Sequence, residues 1–286
     1  MSILQKFHKL AKLKKIKPRE ALKLAKAQLQ LVTLSDLWYF TEVKPLHTRL
    51  QLMNFYSTLF PQIDTATTYT IFLHDMSGKK IKTVKGDLGA DEIKYLELKD
   101  LLEGTGCNEG TVCWIITPSA AVRKEAWKLG IRQFHDRGYI SYHSDFGGYS
   151  VVHGVSSYVR NGRYPALMTK VYGKPDNEPF VTGVMIDTDG LTKVSLLMVN
   201  RSKGVGSGKI RFLDLKTGKK VLEKSFSMNP NGAARIACDK NDIAVMKKKA
   251  SKGNRIFYFA VDGLATEAGR PCMLREFGKS FAIMHC

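Results

Sequence analysis

The sequence lacks several features that would have assigned it to a specific class of protein. Its 286 residues include five cysteines, and no two of them have the Cys-x-x-Cys spacing of a redox or metal site. No run approaches the roughly 18 apolar residues that would cross a bilayer. Lysines interrupt residues 1–15, so the unbroken apolar stretch of a secretory signal is missing. These absences predict free thiols and a location in the cytoplasm, either in solution or on the cytosolic side of a membrane.

Motifs for catalysis are also missing. The sequence shows no Ser/His/Asp order, no pair of carboxylates in a recognisable frame and no glycine-rich nucleotide fingerprint. We therefore expect a non-enzymatic binding or accessory protein that needs no cofactor. The alternative is a glycan-processing or metal-dependent enzyme.

Acidic residues are scarce relative to basic ones. Against 45 Lys and Arg there are 26 Asp and Glu, which gives a net charge of +19. Residues 1–30 contribute +8 and residues 201–286 contribute +11, whereas residues 31–200 are neutral. Such a distribution predicts a polyanionic partner, either an anionic membrane surface or an acidic glycan. Nucleic acid and a protein partner remain alternatives, and simple solubility would account for the same charge.

The first 40 residues read as a basic leader of two amphipathic helices separated near Pro18. Val32 falls on the apolar face of the second helix. The leader could lie on an anionic bilayer, pack on the domain that follows, or bind nucleic acid. The predicted anion-binding residues of the leader and of a basic segment near the C-terminus are Lys6, Lys9, Lys12, Lys14, Lys15, Lys247, Lys248, Lys249 and Arg255.

Residues 9–18, which are rich in Lys and Leu and end in Pro18, carry one resemblance to a known family. This segment resembles the short basic leader of bacterial capsule and surface-polysaccharide biosynthesis proteins. The resemblance covers less than a tenth of the chain. It implies a setting at the inner membrane near glycan assembly and brings no catalytic residue with it.

A segment of eleven residues occurs twice, at 71–81 and 211–221. Each copy predicts a strand, a tight turn with glycine at Gly78 or Gly218, and a second strand. Three further pairs of segments follow the same order in the chain: 50–54 with 196–200, 110–116 with 254–260, and 139–144 with 281–286. The sequence therefore predicts a tandem duplication.

The strand and turn pattern predicts a mainly β protein. We expect two tandem antiparallel β-sandwich units of immunoglobulin or jelly-roll type behind the helical leader. The predicted boundaries are 1–40 for the leader, 41–157 for the first unit, 158–180 for a linker and 181–286 for the second unit. One helix interrupts the first unit after Thr117, and its Trp127 is expected in the core.

The densest polar cluster lies in residues 134–153 and predicts a β-hairpin. With a three-residue loop at 146–148, His143 faces Val151 and shares one face of the hairpin with Asp145 and His153. Such a face could hold Zn or Fe, form a polar rim for a ligand, or serve a structural role. In the predicted duplication, His285 of the second unit corresponds to His143 of the first. The candidate rim is thus His143, Asp145, His153 and His285, and the metal candidates are the first three.

Overall fold

The computed structural model describes residues 32–131, 133–135, 138–153, 158–159, 180–201, 204–262 and 271–286. The strands of the first unit are β1 (Val32–Ser35), β2 (Trp38–Thr41), β3 (Leu46–Met53), β4 (Thr67–Asp75), β5 (Lys80–Leu88), β6 (Ile93–Glu97), β7 (Glu109–Thr117), β8 (Gln133–His135), β9 (Tyr139–Ser144), β10 (Tyr149–His153) and β11 (Tyr158–Val159). Its helices are α1 (Tyr56–Leu59), α2 (Leu98–Leu101) and α3 (Ala120–Lys128).

The strands of the second unit are β12 (Phe180–Val181), β13 (Ile186–Asp187), β14 (Lys193–Val199), β15 (Gly206–Asp214), β16 (Lys220–Met228), β17 (Ala233–Cys238), β18 (Ile256–Val261), β19 (Cys272–Phe277) and β20 (Ser280–His285). Its helix is α4 (Lys240–Lys249). None of the described helices is long and apolar enough to cross a bilayer.

The described strands form four antiparallel sheets and one small mixed sheet. In the first unit, sheet B has the order β2-β7-β4-β5 and sheet C the order β10-β9-β3-β6, while sheet A joins β11, β1 and β8. In the second unit, sheet D has the order β12-β18-β15-β16, with β13 also on β18, and sheet E has the order β17-β14-β19-β20. The expected mainly β architecture is confirmed.

Two hydrophobic clusters form the interior. Buried and half-buried residues alternate along β3, as expected for a strand with one face on a core. Trp38 and Trp114 stack in the first cluster with ring centroids 3.8 Å apart. Strand β14 is different, because both of its faces are buried: Leu196 packs in the second cluster and Leu197 in the first. One face of sheet E, in the second unit, therefore packs into the core of the first unit.

A structural repeat is visible in two asparagines that the sequence places at the ends of matching apolar runs. Asn54 follows β3 and donates from Nδ2 to the Gly89 carbonyl at 2.8 Å. Asn200 follows β14 and donates from Nδ2 to the Met228 carbonyl at 2.9 Å. Each asparagine thus joins the end of a central strand in one sheet to the end of the hairpin in the other sheet of its unit. The two units are built on the same plan.

The repeated hairpin is present in both units, but its phenylalanines are not equivalent. The turn after Asp75 closes on Lys79, whereas the turn after Asp214 closes on Lys219, which is one residue longer. Leu73 and Phe212 precede the bulge at the same place in β4 and β15. The residue of the first unit that corresponds to Phe212 is therefore Leu73, so the sequence match of Phe72 with Phe212 is wrong by one residue.

The match of 139–144 with 281–286 is wrong. Strand β9 pairs with β3 as β19 pairs with β14, so the counterpart of β9 is β19, and the counterpart of β10 is β20. His153 faces Tyr139 in sheet C, and His285 faces Cys272 in sheet E. His285 therefore corresponds to His153 and not to His143.

Three further expectations need correction. Residues 32–41 form β1 and β2, so Val32 lies in a strand and not on a leader helix. Both ends of the expected linker are strands, because β11 pairs with β1 and β12 pairs with β18. Trp127 is 44% exposed on α3 and is not a core residue. The helix itself is present, and its N-cap is Ser119.

Candidate functional site

The outward face of sheet C carries an ordered array of aromatic and polar side chains, which we call the outer face. Strand pairing arranges it in three rows across β10, β9, β3 and β6. The rows are Tyr149, His143 and His47; then Val151, Ser141, Arg49 and Glu97; then His153, Tyr139, Gln51 and Tyr95. The side chains of alternate residues project to one side of a strand, so these residues share a surface. Most of these side chains are exposed or half-buried, whereas Ser141 is 3% exposed.

The exposed aromatic residues lie at opposite edges of the outer face. Tyr149 is 55% exposed on β10 and Tyr95 is 57% exposed on β6. Their strands are three spacings apart, about 14 Å across the sheet, and the two residues are four positions apart along the strands, roughly another 13 Å. Two exposed rings with polar groups between them form a surface on which an extended ligand could lie.

His47 fixes one end of the outer face. Its Nδ1 donates to Glu42 at 2.9 Å and its Nε2 donates to Asp145 at 3.0 Å, so both ring nitrogens are bound to carboxylates. Burial disfavours the charged ring, but the hydrogen bonds to Glu42 and Asp145 outweigh it and raise the pKa of His47. The charged imidazole therefore joins the loop before β3 to the loop between β9 and β10.

His143 lies beside His47, with ring centroids 5.5 Å apart. Its Nδ1 is buried and makes no hydrogen bond within the described part of the chain, and its Nε2 lies 3.8 Å from Glu97. Burial lowers the pKa of His143, and the positive charges of Arg49 and His47 add to this against the opposing effect of Glu97. Two histidines whose pKa values are shifted in opposite directions therefore lie side by side at one end of the outer face.

The outer face has little net charge. Arg49 donates to Glu97 at 2.5 Å across β3 and β6. His47 carries a proton between two carboxylates, Glu42 and Asp145. The cations of this surface are therefore matched by neighbouring anions, and it is not part of the basic character of the whole chain.

The candidate rim residues are only partly brought together. The loop of the hairpin has three residues, as expected, but it consists of 145–147, so His143 faces Tyr149 and not Val151. Asp145 lies in the loop against His47. His153 is on the same face as His143 but four residues along the paired strands, roughly 13 Å away. Within the described residues, no three His, Cys, Asp or Glu side chains are grouped to hold a metal ion.

His153 contacts His285 at the junction of the two units. Their rings are 4.8 Å apart, and His285 Nε2 donates to the His153 carbonyl at 2.5 Å. A cavity of about 20 Å³ next to His285, lined also by Asp36, Tyr142, Arg201 and Cys272, has room for about one water molecule. The His153–His285 contact is therefore a structural contact between units.

The basic residues near the C-terminus lie at the far end of α4. Lys247, Lys248 and Lys249 form its last turn and are exposed. Arg255 is bound to two carboxylates, Asp187 at 3.5 Å and Asp189 at 3.2 Å. Lys6, Lys9, Lys12, Lys14 and Lys15 lie outside the described residues.

Sequence reasoning did not identify His47, Tyr95 or Tyr149 as site residues. His47 is 98 residues from Asp145 in the chain, and only the pairing of β3 with β9 brings them together. Tyr95 occupies an outward position of a short strand, where one tyrosine is unremarkable in sequence. The alternation of β3 gave the available signal, because His47, Arg49 and Gln51 are polar at the outward positions.

No protein-family model and no curated protein matches this chain. Among solved structures, it is similar to a beta-glucuronidase of glycoside hydrolase family 2, with a TM-score of 0.17, 8% identity, and coverage of 91% of this chain and 26% of that one. A family 2 member from Bacteroides cellulosilyticus DSM 14838 gives a TM-score of 0.16 and 8% identity, covering 89% of this chain and 28% of that one. The chain spans less than a third of the length of these structures, and TM-scores this low support no functional conclusion.

Proposed function

We propose that this protein is a non-enzymatic accessory protein that binds a neutral, hydroxyl-rich glycan on the outer face of sheet C. The observation that carries the proposal is the contrast between equivalent faces of the two units. In sheet E this face packs on the first unit, and Leu197 and Leu274 are 2% and 1% exposed there. The equivalent residues of sheet C are Gln51 and Ser141. This face is aliphatic in sheet E, where protein covers it, and polar in sheet C, where Gln51 is partly exposed and Ser141 is 3% exposed.

The chemistry of the outer face suits a sugar polymer. The flat faces of pyranose rings carry C–H groups that pack on aromatic rings such as Tyr95 and Tyr149. Gln51 and the Arg49–Glu97 pair offer hydrogen bonds to hydroxyl groups. The separation of the two tyrosines favours an oligosaccharide over a single sugar. Because the charges of the face are matched, a neutral ligand is favoured over an acidic one.

This proposal fits the setting near glycan assembly that the leader's resemblance implies. It replaces the acidic ligand expected from the net charge, because the basic residues of the second unit lie elsewhere. Since His143, Asp145 and His153 are not grouped, we propose binding and not catalysis at this surface.

A glycan microarray tests the proposal. It should carry neutral hexose and N-acetylhexosamine oligomers together with uronate-bearing and sulfated chains. We expect the protein to bind the neutral oligomers on the array. The double variant Tyr95→Ala/Tyr149→Ala should no longer bind them. Trp127→Ala is the matched control, because it removes an exposed aromatic side chain from α3 and should leave retention unchanged. Binding to acidic chains alone, or to no glycan at all, would contradict the proposal. Equal binding of neutral oligomers by the double variant and the parent protein would also contradict it.

A further inference from the structure

A second surface, at one end of the second unit, is strongly basic. Two segments meet there: the loop between β15 and β16, and the segment that runs from the last turn of α4 to β18. Their exposed lysines, which we call the basic end, are Lys216, Lys219, Lys247, Lys248, Lys249 and Lys252. This surface is separate from the outer face of sheet C, which belongs to the other unit.

A buried carboxylate holds the two segments together. Asp214 Oδ1 accepts hydrogen bonds from the backbone N–H groups of Lys216 at 2.8 Å and Thr217 at 3.1 Å, while Oδ2 accepts one from Ser251 at 2.6 Å. Burial opposes the charge of Asp214, but the hydrogen bonds from Ser251, Thr217 and Lys216 hold its pKa far below the usual range. Asp214 therefore holds the two segments in a fixed relative position, which keeps their lysines at the same end of the unit.

The lysines of the basic end are not neutralised by neighbouring acids. In the ranges that the structure describes, Lys216, Lys219, Lys248, Lys249 and Lys252 form no ion pair. The nearby carboxylates Asp187 and Asp189 are bound to Arg255. A cluster of cations with free charge attracts phosphate groups.

An apolar side chain stands among these lysines. Leu215 begins the loop between β15 and β16 and is 37% exposed beside Lys216. Nucleic acid offers no apolar layer for such a residue, whereas a bilayer has one directly beneath its phosphates. The combination of an exposed leucine with exposed lysines on the same loop and the adjoining segment therefore favours a lipid surface.

We propose that the basic end docks the second unit on a bilayer containing anionic phospholipids. The lysines bind the headgroup phosphates, and Leu215 enters the boundary between headgroups and acyl chains. The proposal does not depend on the glycan ligand, because neither surface shares a residue with the other.

Sedimentation with lipid vesicles tests the proposal on the full chain. Vesicles of phosphatidylcholine with 30% phosphatidylglycerol are compared with vesicles of phosphatidylcholine alone. We expect binding to the anionic vesicles, weaker binding at high salt, and at least about a tenfold loss of partitioning in Lys248→Glu/Lys249→Glu. The matched control is Arg123→Glu/Lys124→Glu, which reverses two adjacent exposed cations on α3 and should bind almost normally.

Leu215→Ser separates a bilayer from other polyanions. This variant keeps every charge, so it should bind anionic vesicles several-fold more weakly and bind a DNA duplex as well as the parent protein does. Equal losses in the two charge-reversal variants, or unchanged vesicle binding by Leu215→Ser, would overturn the proposal. Tighter binding to duplex DNA than to the anionic vesicles would assign the basic end to nucleic acid instead.

Discussion

His153 and His285 are equivalent residues of the two units, and they contact each other, with ring centroids 4.8 Å apart. The contact places β10 of the first unit against β20 of the second. Ser150 reinforces it by donating to the Ile283 carbonyl at 2.8 Å. A duplicated chain has thus brought corresponding parts of its two units together at one junction.

The junction should make stability depend on pH. Burial lowers the pKa of His285, and the neighbouring His153 adds to this, although the hydrogen bond to the His153 carbonyl opposes both. Because the folded pKa is below the unfolded value near 6.5, the unfolded chain binds the proton more readily. Stability should therefore fall as pH decreases from about 6.5. Urea denaturation from pH 5 to pH 8 should show a flatter dependence in His285→Asn, and parallel curves for the two proteins would contradict this.

His47 should have the opposite effect. Its raised pKa means that the folded protein holds the proton more tightly than the unfolded chain does. Its contribution to stability is full below about pH 6.5 and is lost as pH rises through the folded pKa. His47→Gln should therefore destabilise the protein more at pH 6 than at pH 9, as measured by urea denaturation. A loss that is the same at both pH values would show that His47 is not charged in the folded protein.

The buried ion pair between the units should be far more important than an exposed one. Arg201 donates to Asp36 at 2.5 Å, and both side chains are less than a tenth exposed. Arg201→Ala leaves a buried carboxylate without its cation, which should cost about 3–5 kcal/mol of unfolding free energy. Arg255→Ala is the control at an exposed pair and should cost less than about 1 kcal/mol. Similar losses in the two variants would show that Asp36 and Arg201 are not buried together.

Replacing Gly78 should destabilise the protein because the turn that contains it packs against the second unit. It has a φ of +85°, and a Cβ at this position would lie 2.1 Å from the Pro230 carbonyl oxygen of the second unit. Gly104 has a φ of +77° but no atom within 4 Å of such a Cβ. Both alanine substitutions carry the cost of positive φ, about 1–2 kcal/mol. Only Gly78→Ala should lose a further 1–3 kcal/mol, roughly, to the clash, as measured by urea denaturation. Equal losses would contradict the packing of this turn on Pro230.

Much of the fold follows from local sequence signals. Glycine turns and alternating strands predicted the paired hairpins, and the asparagines after β3 and β14 occupy equivalent places in the two units. Phe72 was aligned with Phe212 because an ungapped match cannot detect the one-residue difference between the two turns. His143 was aligned with His285 because the match paired β9 with β20, the strand next to its counterpart β19. The exposure of Trp127 also depends on how α3 packs, which its own sequence does not specify.

The candidate site was predicted only in part, because it is made by strand pairing over long distances. His143 could be recognised from its own hairpin. His47 and Tyr95 are contributed by β3 and β6, whose order beside β9 no local pattern specifies. The polar character of the outer face also gains meaning only from comparison with the covered face of sheet E, and that comparison needs the registers of both sheets.

The most direct test of the account is a map of where a bound oligosaccharide contacts the protein. The strongest neutral array probe should be titrated into isotope-labelled protein while backbone amide resonances are followed by NMR. We predict shifts concentrated in β3, β6, β9 and β10, and about a tenfold weaker affinity for Tyr95→Ala than for Trp127→Ala. Shifts concentrated in the second unit, or equal affinities of the two variants, would contradict the assignment of the outer face as the ligand surface.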